Sequence, residues 1–187
     1  MNNLPPGYLT ESDEMVLNVM ALDCKLSIDL GTCNGRSAAI LAHHSERVVT
    51  IDLFEDCEKI VNEGSRDHYK KLFEQSPHFY SEVEADLARF TNIEIIKAPT
   101  AKTALLFEDK SVDLVFFDAD HSFTGVRSDY VAWLPKVKQG GKFLFHDATN
   151  DNWDVRTFCD QVMLSDNAVY EINVEITNSV IRVFKKM

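Results

Sequence analysis

Five short apolar runs constrain the fold more than any other feature: "KLSIDL" (25–30), "RVVTID" (47–52), "IEIIKA" (93–98), "VDLVFFD" (112–118) and "GKFLFHD" (141–147). In all but the first, apolar residues stand next to one another rather than strictly alternating, the pattern of strands buried on both faces of a parallel sheet. Stretches with helical spacing separate them: "RSAAILAHH" (36–44), "TAKTALLF" (100–107), "TGVRSDYVAWLPKV" (124–137, interrupted near Pro135) and "DVRTFCDQVML" (154–164). Strand alternating with helix predicts an α/β fold with a mainly parallel sheet. The chain closes on "VYEINVEI" (169–176) and "SVIRVFKK" (179–186), which read as an antiparallel hairpin around Thr177 and Asn178. The expectation is a doubly wound, Rossmann-like, seven-stranded, mostly parallel sheet with a C-terminal antiparallel hairpin strand.

The chain has 187 residues, which suits one domain. Residues 1–24 read as an N-terminal arm and helix. Pro5, Pro6 and Gly7 block regular structure, and Thr10 with Asp13 forms a capping box for a helix over about 11–22. Met15, Val16, Val19, Met20 and Leu22 give that helix its apolar face. Residues 25–187 form the main domain. The stretch 53–91 is longer than one crossover helix needs and reads as two helices, with a helical insertion at about 63–91.

A formal net charge of −11 argues against a free-standing nucleic-acid binder. No apolar run approaches the ~20 residues of a membrane helix, and the polar start "MNNLPPGYLTESDE" shows no signal peptide. Cys24, Cys33, Cys57 and Cys159 lie far apart without a CxxC pair, so a reduced, cytoplasmic protein without a zinc site is expected.

In open α/β sheets ligands sit where strands leave the sheet. The fourth run ends there in Asp118, Asp120 and His121, ionisable groups that a core would not hold unpaired. The first run leads into "SIDLGTCNGRS" (27–37), with Gly31 and Gly35 spaced G-x-x-x-G and Asp29 two residues before Gly31. Gly31 permits a tight turn and Gly35 opens a helix. Asp52 ends the second run 23 residues after Asp29, where an acid can accept both hydrogens of a ribose diol. A plain glycine turn, with Asp52 as a helix cap, is the alternative. Cys33 stands where G-x-G-x-x-G has its second glycine, which disfavours a dinucleotide. Asp29 repels phosphate and suits a cation or amine. The ligand suggested is a nucleoside with an amino-acid tail and no phosphate.

At these residues the chain resembles the class I S-adenosylmethionine-dependent methyltransferases. "DLGTCNGRS" is similar to their acid-x-G-x-x-x-G-x-S motif and "TID" (50–52) to the second motif. "VDLVFFDADHSF" and "GGKFLFHD" resemble the fourth- and fifth-strand regions. The similarity spans about 25–185. It is nearest to small O-methyltransferases of the catechol and caffeoyl-CoA type and to the DxDH sugar and natural-product methyltransferases. The resemblance implies S-adenosylmethionine as cofactor. Asp29, Gly31, Gly35 and Ser37 would hold its methionine part, Asp52 its ribose hydroxyls, and Ala98–Thr100 would flank the adenine, with Asp118 also bordering the donor.

The same resemblance implies a catalytic edge. Asp118 and Asp147 match two metal aspartates, with Mg²⁺ or Mn²⁺ as the candidate ions, and His121 takes the place of a lysine base. Imidazole can accept a hydroxyl proton near neutral pH; a helix cap or solvated loop is the alternative for His121. The usual third ligand, Asn, is replaced by Ala148, leaving His146 and Asn150 to compensate. A histidine ligand would favour a softer metal. Without a metal, facing carboxylates need an amine, an arginine or a shared proton. Asp120 either points to solvent or fixes the His121 tautomer. Phe116, Phe117 and Phe123 read as core. Trp153, His78, Phe79 and Tyr80 read as exposed, with Trp153 either walling an acceptor pocket or packing on the next helix.

The leading expectation is methyl transfer to a hydroxyl of a small molecule, without membrane or nucleic acid and with a homodimer left open. A macromolecular acceptor and a non-catalytic nucleoside-binding protein are the competing readings.

Overall fold

A computed structural model describes residues 4–54, 66, 67, 70, 71, 74 and 79–187. Helix α1 (Glu11–Met20) leads into β1 (Cys24–Leu30), α2 (Arg36–Ala42) and β2 (Ser45–Asp52). Then follow α3 (Phe79–Leu87), β3 (Ile93–Lys97), the short α4 (Thr100–Thr103) and β4 (Val112–Phe117). Helix α5 (Phe123–Trp133), β5 (Val137–Phe145), α6 (Asp154–Gln161), β6 (Val169–Ile172) and β7 (Arg182–Lys186) complete the chain.

The seven strands form one sheet in the order β3-β2-β1-β4-β5-β7-β6. The first five pair in parallel, and β7 runs antiparallel between β5 and β6. This is the mostly parallel sheet with an antiparallel C-terminal hairpin that the sequence predicts. Successive strand residues feed opposite faces, as the pleat requires. Leu114 and Phe116 enter the cluster under α1, α2 and α3, with Val16, Leu17 and Val83. Val115 and Phe117 enter the cluster under α5 and α6, with Tyr130, Trp133 and Phe158. Chain direction around the sheet reverses between β1 and β4, whose ends therefore open a crevice.

Several boundaries depart from expectation. Helix α5 stops at Trp133, and β5 begins at Val137 rather than at 141. Val112 pairs with Val137 but Leu114 with Lys142, so a bulge at Gly140 (φ +77°) and Gly141 takes up the extra residues. The hairpin arms stop at Ile172 and resume at Arg182, because Ser179 and Val180 bond elsewhere: both donate to Asp13. Phe79, expected exposed, is buried and packs near Phe54, while Tyr80 is half-buried. His78 and the first helix of the 53–91 stretch lie outside the described residues; α3 falls within the expected insertion. Among the described residues no helix is long and apolar enough to cross a membrane.

Candidate functional site

The β1–α2 turn is fixed by its glycines and by Asp52. The Gly31 amide donates to the Ile51 carbonyl at 2.9 Å. Gly31 has φ +100°, and a Cβ there would fall on the carbonyl of Asp118. The loop therefore packs directly on the exit of β4. Gly35 has φ +86°, and a Cβ there would meet Leu87 of α3. Asp52 accepts from the Cys33 amide through Oδ2 (2.9 Å) and from the Phe54 amide through Oδ1 (3.0 Å). A carboxylate oxygen can accept from more than one donor, so these bonds are compatible with a ribose hydroxyl at Asp52.

Asp29 lies beneath this turn and is fully buried. Thr50 donates to its Oδ2 at 2.6 Å, whereas Oδ1 has no hydrogen-bond partner. Burial raises its pKa to about 7 against the lowering effect of the Thr50 and Ser37 hydroxyls, and the nearby Asp118 and Asp52 charges add to the rise. An unpartnered buried acceptor fits a ligand that brings an ammonium group to this place. Ser37 is itself buried on the Asp29 side of α2.

At the end of β3 the Ala98 amide donates to the Asp52 carbonyl at 2.9 Å, so the 98–100 turn adjoins the Asp52 position. The Thr100 hydroxyl is turned away from that edge and donates to Asp129 of α5 at 2.6 Å. Asp129 is buried, and burial raises its carboxyl to about 7 against the Thr100 bond.

Asp118, His121, His146 and Asp147 meet at the exits of β4 and β5. The Asp118 amide donates to the Leu30 carbonyl (2.9 Å) and the His146 amide to the Phe117 carbonyl (3.1 Å), which extends the ladder to the edge. His121 Nδ1 lies 3.1 Å from the Ala119 carbonyl and donates to it, so Nε2 faces Asp118 (3.4 Å) and Asp147 (3.3 Å). His146 Nδ1 lies 3.0 Å from Asp118 and 3.5 Å from Asp147. Asp147 has φ +54°, a conformation uncommon for a non-glycine residue. The two aspartates hold His121 up at about 9 although its burial alone would lower it. Burial also lowers His146, but the Asp118 charge, its contact with Asp118 and the neighbouring Asp13 and Asp147 carboxylates outweigh it and lift the group to about 12. Burial raises both aspartates, and the imidazoles more than reverse this and hold them below the ordinary carboxylate range.

The histidine contacts answer several sequence alternatives. The Ala119 carbonyl, rather than Asp120, sets the His121 tautomer; Asp120 accepts from the Ser122 amide at 2.9 Å. Trp153 lies 5.0 Å from the His121 ring, centroid to centroid, and so borders the cluster. Ala148 is buried and offers no donor atom. Asn150 donates to Asp147 (3.4 Å) and accepts from the Asn152 amide (3.0 Å), whereas His146 turns its Nδ1 toward both aspartates. Asp118, His121 and His146 offer ligand atoms all within 4.8 Å of one another, with Asp147 alongside. That mixed nitrogen and oxygen set suits Mn²⁺, Fe²⁺ or Zn²⁺ better than the oxygen-preferring Mg²⁺.

Comparison with known proteins adds independent information. Residues 28–148 match a family described as a methyltransferase domain. No curated protein matches. Among solved structures, a putative O-methyltransferase from Klebsiella pneumoniae is similar at 15% identity and TM-score 0.67, over 98% of this chain and 83% of that one. The O-methyltransferase TomG from Streptomyces achromogenes, solved with S-adenosylmethionine, is similar at 14% identity and TM-score 0.66, over 96% and 81%. An rRNA methylase from Streptococcus thermophilus is similar at 13% identity and TM-score 0.63, over 93% of each chain. At such identities the likeness to these structures is one of fold.

Proposed function

The chain belongs to this methyltransferase-domain family, and from that premise we propose that it moves the methyl group of S-adenosylmethionine to a hydroxyl oxygen of a small molecule. The observation that carries this reading is His121, an imidazole with its Nδ1 proton committed to Ala119 and its Nε2 aimed at the edge beside the glycine loop. Proton removal is what an alcohol or phenol needs as it becomes a nucleophile.

The donor lies across the β1 and β2 ends. Asp52 takes the ribose hydroxyls, Asp29 is the buried acid below the methionine ammonium, and the 98–100 backbone flanks the adenine. The acceptor lies over β4 and β5, against Trp153. The acceptor oxygen forms the new C–O bond as the methyl leaves sulfur. The S–C electron pair stays on sulfur, giving the neutral thioether, and the hydroxyl proton goes to Nε2 of the neutral His121 ring, a form that its pKa of about 9 makes the minor one near pH 7 and that rising pH favours. Most of the acceleration comes from holding the two reactants in line. Asp118, Asp147 and His146 are the donors that would hold a divalent cation while leaving His121 to accept the proton. When bound, that cation would acidify the acceptor hydroxyl.

The test is transfer of labelled methyl from S-adenosylmethionine to a panel of catechols, hydroxylated acids and sugars, with and without EDTA. Label entering a hydroxylated small molecule supports the reading. Donor binding with no transfer to the panel would favour a non-catalytic nucleoside-binding protein, and transfer to RNA alone would replace the acceptor class. Full activity in EDTA removes the cation and leaves His121 as base.

A further inference from the structure

His146 has a second nitrogen that the proposed chemistry does not use. Its Nε2 is buried and has no hydrogen-bond partner. The carboxylate facing it is Asp13 of α1, with Oδ2 3.7 Å away. Asp13 is fully buried and lies outside the matched residues 28–148.

A buried carboxylate is costly unless satisfied, and Asp13 is satisfied from two directions. Thr10 donates to Oδ2 through its amide (3.0 Å) and hydroxyl (2.6 Å), the capping box expected from sequence. Ser179 Oγ (2.8 Å) and the Val180 amide (2.9 Å) donate to Oδ1. The Val180 carbonyl in turn accepts from the Ala148 amide at 2.9 Å. Asp13 thus grips the segment that holds the residue after Asp147, and it also faces the imidazole just before Asp147.

A hydrogen-bond acceptor anchored at that place decides how His146 is turned. With a proton on Nε2 facing Asp13, Nδ1 is the nitrogen presented to Asp118 and Asp147. A ring turned over would put carbon where each nitrogen stands, taking Nδ1 away from the cluster and Nε2 away from Asp13. Carboxylates that face the far nitrogen of a functional histidine commonly fix tautomer and ring orientation in this way. The Phe116 ring, 6.0 Å from the imidazole and nearly perpendicular to it, backs the same orientation.

From this geometry we infer that Asp13 is the positioning residue of His146, so that the N-terminal helix completes the candidate site. The consequence for turnover rests on the proposed function; the orientation of His146 does not.

The test separates positioning from simple structural support. Protein labelled with ¹⁵N-histidine is compared as wild type, Asp13→Asn and Ser179→Ala. Ser179→Ala removes one anchor of Asp13 but leaves its charge in place. In wild type, His146 Nε2 is expected to carry a slowly exchanging proton. Asp13→Asn is expected to move that resonance and to lower turnover by about 10–100-fold, the usual loss for such a partner, with donor affinity retained. Ser179→Ala is expected to change thermal stability without moving the resonance. An unprotonated Nε2 in wild type overturns the inference even if Asp13→Asn fails to fold. So does an unmoved resonance in Asp13→Asn, or an equal shift in Ser179→Ala. If the resonances behave as expected while no acceptor is methylated, Asp13 keeps its role and the acceptor reading falls.

Discussion

At the β1 and β2 exits, backbone amides do the holding: Cys33 and Phe54 donate to Asp52, Gly31 to Ile51 and Ala98 to the Asp52 carbonyl. At the β4 and β5 exits, a few ångströms on, ionisable side chains hold one another: Asp118 and Asp147 against His121 and His146. The first region is a shape, set by local chain geometry. The second is a charge balance, assembled from three separated segments once Asp13 is included. A binding surface for an uncharged nucleoside can be made of amides, whereas proton movement needs groups whose charge can change.

The contrast can be broken most severely at Gly31. Gly31→Val is expected to abolish donor binding and to lower Tm, because a Cβ would strike the Asp118 carbonyl at a φ that β-branched residues do not adopt. The structure places the collision inside the protein, between the two regions. Calorimetry and a melting curve check this; normal binding would show that the loop and the cluster are not packed as described.

Asp52→Ala sharpens the comparison on the donor side. It is expected to weaken S-adenosylmethionine by about 1–3 kcal/mol, and to loosen the turn because two amides lose their acceptor. Unchanged affinity by calorimetry would remove Asp52 from the ribose role.

The smallest effect is expected at Asp129, a titrating group belonging to neither region, which faces Thr100 and the charge of Asp120. Burial raises its folded pKa to about 7, well above the ordinary aspartate value, so its charged form destabilises the fold. The penalty is absent below the unfolded pKa, grows as pH rises and is complete above about 7. Asp129→Asn keeps an acceptor for Thr100 and should therefore gain roughly 1–2 kcal/mol at pH 8 and nothing at pH 4. Denaturant melts at the two pH values check the sign; equal gains at both would mean that burial does not perturb the group.

The same contrast explains what was legible in the sequence. Strand order and the glycine turn follow from local patterns: apolar runs, glycine spacing and an acid at a strand end. Asp29, Asp52, Asp118 and Asp147 could be picked out because each sits at or near the end of such a run. The reach of His146 toward Asp118 could be named only as one of two ways to compensate Ala148. Asp13 was readable as a helix cap and no more, because its partners His146, Ser179 and Val180 lie more than a hundred residues away in sequence. The hairpin is shorter than its apolar pattern suggests for the same reason, since nothing local shows that residues 179–180 are bonded to α1. Phe79 sat in a charged stretch and looked exposed, but Phe54 gives it a buried neighbour.

The central claim is that a donor held by the first region is attacked by a hydroxyl deprotonated in the second. The most direct test is the single-turnover rate of methyl transfer in His121→Ala against the parent, with S-adenosylmethionine affinity measured in parallel. The account predicts a rate lowered by about 10²–10⁴-fold with donor affinity retained. Equal rates would contradict it and leave Asp118, His121, His146 and Asp147 as a structural ion cluster.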